Sequence, residues 1–85
     1  MIIEVCGKGC PKCHATKDNV SKALKELGLK EGDDAVVSEI KDIKMISARG
    51  VIMTPAVVID GAKMSEGRIP EVKEIKKWLE GKKEH

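Results

Sequence analysis

The sequence is poor in aromatic residues, with one tryptophan, Trp78, and no tyrosine or phenylalanine among its 85 residues. Proteins that bind single-stranded nucleic acid stack bases on such side chains, so this chain cannot build a stacking platform. Its net charge is also small, because 16 Lys and Arg residues nearly balance 14 Asp and Glu residues to give +2 at pH 7. A protein that binds nucleic acid by neutralising phosphates is typically more basic. We therefore expect no nucleic-acid partner.

Long apolar runs are absent as well. No stretch approaches the roughly 18–20 apolar residues of a membrane-spanning helix, and residues 1–5 lack the basic and apolar segments of a secretory signal. Chains of this length form one domain, and the hydrophobic fraction of 41% is typical of a globular one. We expect residues 1–85 to form a single, monomeric, cytoplasmic domain with no membrane partner.

Cysteine is confined to the first 13 residues, where Cys6, Cys10 and Cys13 lie close together. A secreted scaffold held by disulfides would distribute an even number of cysteines along the chain. In a cytosolic protein, a Cys-x-x-Cys pair is more often catalytic or metal-binding than structural. The cysteine pattern therefore indicates redox or metal chemistry.

Apolar periodicity and turn residues predict an alternation of strands and helices. The helix after the first strand is marked by Pro11 at its start and Gly28 at its end, and Asp42 is a typical N-cap for a short helix carrying Ile43 and Ile46 inward. The predicted strands cover residues 1–5, 35–40, 56–59 and 62–65, and the predicted helices begin at Cys10–Pro11, Asp42 and Pro70.

Asp60-Gly61 predicts a hairpin between the last two strands, and the helix between the first two strands makes them parallel. The resulting order, β-α-β-α-β-β-α, predicts an α/β fold with a four-stranded mixed sheet and helices on both faces.

The segment Cys10-Pro11-Lys12-Cys13 has the geometry of a redox-active pair. Two cysteines three residues apart on a helix have Cα atoms about 5–6 Å apart, within the disulfide range. Cys10 falls at the helix mouth opened by Pro11, where unpaired N–H groups and the Lys12 charge favour a thiolate. Cys13 lies seven residues before Val20 on the inward stripe of the helix, so we expect it to be buried.

Thr54-Pro55 immediately precedes the most apolar predicted strand. Proline has no ladder N–H and does not sit within a central strand, so a tight turn must lead into this one. A trans bond is the more common state of X–Pro peptides, and a cis bond would also make such a turn.

A strand, a Cys-x-x-Cys that opens a helix, and a Thr-Pro before a hairpin together resemble the thioredoxin and glutaredoxin superfamily, in particular its small archaeal and bacterial members. The resemblance implies a thiol–disulfide oxidoreductase in which Cys10 is the nucleophile and Cys13 the resolving thiol. It also implies a cis Pro55 facing the disulfide and a Thr54 backbone that pairs with the substrate chain. The implied partners are protein disulfides and an unidentified disulfide reductase, with no metal and no bound cofactor.

The same residues allow a metal-carrier function. Cys6, Cys10, Cys13 and His14 could supply sulfur and nitrogen ligands to zinc or copper(I). Small metallochaperones also place a Cys-x-x-Cys between a first strand and a helix, but their elements follow the order β-α-β-β-α-β. The order of the elements after Gly28 therefore separates the two hypotheses. For Cys6 we expect a place in the core, and for His14 exposure to solvent.

Overall fold

The computed structural model of the protein describes residues 1–9 and 11–83, which form four strands and three helices. In chain order these are β1 (Ile2–Cys6), α1 (Pro11–Glu26), β2 (Val36–Ile40), α2 (Ile43–Ala48), β3 (Ala56–Ile59), β4 (Ala62–Glu66) and α3 (Val72–Lys83). The predicted order of elements is confirmed, and most predicted boundaries lie within one or two residues of those observed.

The sheet has the strand order β2-β1-β3-β4. β1 runs parallel to β2 and antiparallel to β3, and β3 runs antiparallel to β4. The mixed sheet is therefore as predicted, with the strand that leads into the cysteine segment at its interior.

The hairpin between β3 and β4 turns at Asp60 and Gly61, whose φ angles are 49° and 85°. Two positive φ angles in succession are typical of a type I′ turn, which matches the right-handed twist of the strands. Asp60 also closes the turn onto the start of β1. Its Oδ1 accepts from the Ile2 N–H at 2.8 Å, and its own N–H donates to the Ile2 carbonyl at 2.9 Å.

Alternation along the strands places a hydrophobic core on each face of the sheet. The larger core joins the sheet to α1 and α3, and its buried residues are Ile3, Val5, Val20, Ala23, Leu24, Ala35, Val57, Ile59, Ile75 and Leu79. The smaller core lies under α2 and comprises Cys6, Ile40, Ile46, Val51, Ala56 and Val58. Helices thus cover both faces, as predicted.

Two details of the prediction are wrong. Ile43 does not face the core but is 60% exposed, because α2 is only six residues long and buries Ile46 alone among the residues described in it. The last helix begins at Val72 rather than at Pro70. Pro70 is buried before the helix, and its carbonyl accepts from Asn19 Nδ2 at 2.9 Å, which ties it to α1.

Within the described residues, no helix is both long and apolar enough to cross a membrane.

Candidate active site

The site begins where β1 ends. Gly7 continues the ladder beyond the strand, since its N–H donates to the Ile40 carbonyl at 2.9 Å, and it is buried. The backbone of Gly7 is therefore held in place by this hydrogen bond. The chain turns from it through Gly9, whose φ of 85° is one that glycine adopts readily.

Cys13 packs against this fixed glycine. It lies in the first turn of α1 and is 6% exposed, as its place on the inward stripe predicts. A Cβ added to Gly7 would overlap Cys13 Sγ and would lie 3.8 Å from the Cβ of Thr54. The end of β1, the first turn of α1 and the loop before β3 therefore meet at Gly7.

The first turn of α1 presents its other side chains to solvent. Pro11, Lys12 and His14 are exposed, and the turn contains no acidic residue. Buried Thr16 supports it from within, because its Oγ1 donates to the Lys12 carbonyl at 2.8 Å. Lys12 is thus a positive charge that no acidic residue of the same turn opposes. Cys10 itself lies outside the described residues.

The peptide bond between Thr54 and Pro55 is cis, as the resemblance to the superfamily implied. Pro55 is buried and Thr54 is exposed. The Pro55 carbonyl accepts from the Gly67 N–H at 2.9 Å, which attaches the start of β3 to the end of the hairpin. Gly7 lies between Thr54 and Cys13, since a Cβ added to it would approach the side chains of both.

A carboxylate also borders Cys13, and sequence reasoning missed it. Glu39, near the end of β2, lines a small void together with Cys13 and His14. Its Oε1 accepts from Lys17 Nζ at 2.7 Å, and this hydrogen bond holds the pKa of the Glu39 carboxyl below its ordinary value. Glu39 is therefore ionised near neutral pH, with its charge balanced by Lys17.

Cys6 belongs to a different part of the molecule. It is fully buried in the smaller core under α2, as expected. Burial raises the pKa of its thiol, and the charge of Arg49 opposes this effect. A buried neutral thiol is a poor nucleophile and a poor metal ligand.

The order of elements also distinguishes the two hypotheses drawn from the sequence. After α1 the chain continues β-α-β-β-α, which differs from the β-β-α-β order of the metallochaperones. Among residues 1–9 and 11–83, no group of three His, Cys, Asp or Glu side chains is placed to hold a metal ion.

Comparison with known proteins identifies the fold family. A family model described as a thioredoxin domain matches residues 1–80. The chain belongs to the thioredoxin family. A thioredoxin of Methanocaldococcus jannaschii is 43% identical to it over 86 residues, covering 96% of this chain and 94% of the relative. A thioredoxin of Methanothermobacter thermautotrophicus is 35% identical over 79 residues, covering 93% of this chain and 97% of the relative.

Membership in the thioredoxin family confirms the activity class predicted from the sequence. The protein is a thioredoxin-type protein disulfide oxidoreductase, since thioredoxins act on protein disulfides and are themselves reduced by a reductase.

Proposed function

We propose that the protein carries out thiol–disulfide exchange through the dithiol of Cys10-Pro11-Lys12-Cys13. The observation that carries the proposal is the position of Cys13, which is buried against Gly7, the same glycine that the side chain of Thr54 approaches before cis-Pro55. A thiol placed in this way is shielded from bulk solvent but lies next to a backbone segment that a substrate chain could pair with.

In the proposed reaction, the Cys10 thiolate attacks one sulfur of a substrate disulfide. An S–S bond forms between Cys10 and the substrate, and the other substrate sulfur leaves as a thiolate that takes up a proton. The Cys13 thiolate then attacks the Cys10 sulfur and releases the second substrate sulfur. The substrate has gained two electrons, and the protein holds a Cys10–Cys13 disulfide that a reductase returns to the dithiol.

The neighbouring residues support this sequence of steps. Pro11 opens the helix, the unpaired N–H groups at the helix mouth favour an anionic sulfur there, and the exposed Lys12 adds positive charge. Thr54 and Pro55 bind the substrate backbone by a short β-augmentation. We further propose that residues 1–85 act as one monomeric domain in the cytoplasm, on protein disulfides and with a reductase of that compartment.

The proposal is tested by trapping with single cysteine variants. Cys13→Ser should accumulate mixed disulfides with a disulfide-containing protein such as insulin, because the resolving step is blocked. Cys10→Ser should trap nothing, and Cys6→Ser, as the control, should retain most of the wild-type turnover. Adducts are counted by non-reducing electrophoresis and mass spectrometry. A Cys10→Ser variant that forms the adduct through Cys13 would contradict the assigned roles.

A further inference from the structure

The segment that carries Thr54 has buried residues near its ends and exposed apolar side chains between them. Residues 49–55 connect α2 to β3, and within this segment the side chains of Ile52 and Met53 are 89% and 61% exposed. Buried Val51 and Pro55 anchor the segment on either side. Apolar packing therefore fixes its ends but does little to fix the backbone that lies between them.

Glu66, the last residue of β4, supplies that restraint. Its Oε2 accepts from the Ile52 N–H at 2.9 Å and from the Met53 N–H at 3.3 Å. Its Oε1 accepts from Lys63 Nζ at 2.7 Å, and the same ammonium donates to the Gly50 carbonyl at 3.2 Å. Two side chains of β4 thus bind three backbone groups of one short segment.

We propose that Glu66 is a positioning residue for substrate docking, whose carboxylate, oriented by Lys63, holds residues 52–53 so that the Thr54 backbone meets the substrate chain. This inference rests on the proposed role of Thr54 in binding substrate. Main-chain pairing is strongest when the receiving strand is already ordered, because binding then costs less conformational entropy.

The hairpin also connects the end of β4 directly to Pro55, the residue after Thr54. Gly67, the next residue after Glu66, donates its N–H to the Pro55 carbonyl at 2.9 Å. A Cβ added to Gly67 would lie 3.3 Å from the Cβ of Met53, so the backbone here also lies close to the segment. The end of β4 therefore contacts residues on both sides of Thr54.

The charge of Glu66 is stable over a wide range of pH. The hydrogen bond from Lys63 and those from the Ile52 and Met53 N–H groups lower the pKa of its carboxyl to about 2. The carboxylate is consequently ionised wherever a thiolate-dependent reaction proceeds, so in the wild type it can accept both backbone hydrogen bonds over that whole range of pH.

The test compares two substrates on the full chain, with dithiothreitol as the reductant. Insulin offers a backbone to pair with, whereas 2-hydroxyethyl disulfide has none. Glu66→Ala should raise KM for insulin about tenfold with kcat changed less than about twofold, since charged hydrogen bonds of this kind are worth about that factor. The rate with 2-hydroxyethyl disulfide should stay at the wild-type value.

In Glu66→Gln the KM for insulin should stay close to the wild-type value, because the amide oxygen of glutamine can still accept from the Ile52 and Met53 N–H groups. Glu74→Ala is the matched control: Glu74 is also ion-paired, to Arg68, and also accepts from a backbone N–H, that of Glu71, but it lies on α3. This control should keep the wild-type KM for both substrates.

Two outcomes would overturn the inference alone: an unchanged KM for insulin in Glu66→Ala, or an equal loss with both substrates, which would show an effect on the dithiol or the fold. A wild-type chain that reduces neither disulfide would overturn the proposed function and this inference with it.

Discussion

At the scale of single residues, Gly7 is needed for its lack of a side chain. Its φ is not in the left-handed region, yet any Cβ there would overlap the sulfur of Cys13. Glycine serves here to allow close approach, since it lets the end of β1 lie directly against the first turn of α1.

Gly7→Ala should displace Cys13 Sγ and slow the resolving step. We expect turnover of a protein disulfide to fall about tenfold and the free energy of unfolding to fall by about 1–3 kcal/mol, as for other overpacked sites. Steady-state assays and denaturant unfolding measure the two effects.

The control for Gly7→Ala is Gly81→Ala in α3, where an added Cβ meets nothing within 4 Å. This change should leave turnover unaltered and stabilise the helix by about 0.5–1 kcal/mol. A Gly7→Ala variant with wild-type turnover would show that the position of the Cys13 sulfur does not limit the reaction.

Sequence reasoning reached the buried state of Cys13 but not its neighbours. The helical spacing from Cys13 to Val20 and Leu24 predicts the inward stripe, because local periodicity determines which face of a helix is apolar. The contact with Gly7, the nearby Glu39 and the hydrogen bonds of Glu66 depend on strand pairing and on chain segments distant in sequence. No spacing within the sequence encodes those contacts.

At the scale of elements, the hairpin formed by β3 and β4 connects cis-Pro55 with Glu66. β3 begins directly after the proline, and β4 ends at Glu66. Glu66 lies 14 residues beyond Ile52 along the chain, and the antiparallel pairing of Ala56 with Glu66 brings them together. The hairpin itself was predictable from Asp60-Gly61, whereas the role of its last residue was not.

The contribution of Glu66 to the free energy of unfolding should decrease as the pH is lowered. The pKa of its carboxyl falls from the ordinary value of 4.5 to about 2 on folding, so its contribution is complete above pH 4.5 and is lost as pH falls toward 2. The difference in unfolding free energy between wild type and Glu66→Gln should be constant from pH 7 to 5 and shrink below that. Denaturant titrations at a series of pH values measure it.

In the Lys63→Met background the same difference should shrink by less and should stop shrinking at a higher pH, because the Lys63 hydrogen bond is the largest cause of the lowered pKa and without it the folded-state pKa lies closer to 4.5. A difference that persists unchanged to pH 3 in the wild-type background would contradict the folded-state hydrogen bonds of Glu66.

At the scale of the whole molecule, Cys6 and Cys13 are associated with different hydrophobic cores. Cys13 is on α1, which packs on the larger core, whereas Cys6 lies in the smaller core with Ala56 and Val58. The sheet separates the buried thiol of Cys6 from α1, which carries Cys13. Composition and cysteine spacing could predict a small core position for Cys6 but not which face of the sheet it would occupy.

Cys6→Ser should retain most turnover while lowering the free energy of unfolding by about 1–3 kcal/mol, because a hydroxyl would be buried among apolar side chains. Cys6→Ala, which introduces no polar group, should cost less. Insulin reduction and thermal unfolding of both variants give the comparison. A folded Cys6→Ser variant without turnover would show that the redox pair has been misassigned.

The unequal cores also imply unequal local stability. α2 contributes the single buried residue Ile46 to its core, whereas α1 and α3 together contribute Val20, Ala23, Leu24, Ile75 and Leu79 to theirs. Partial opening therefore costs least free energy on the α2 side, and amide hydrogens there exchange with solvent well before those of α1. Each such opening exposes Cys6 for a moment, so slow alkylation of this thiol in the native protein measures how often α2 leaves the sheet.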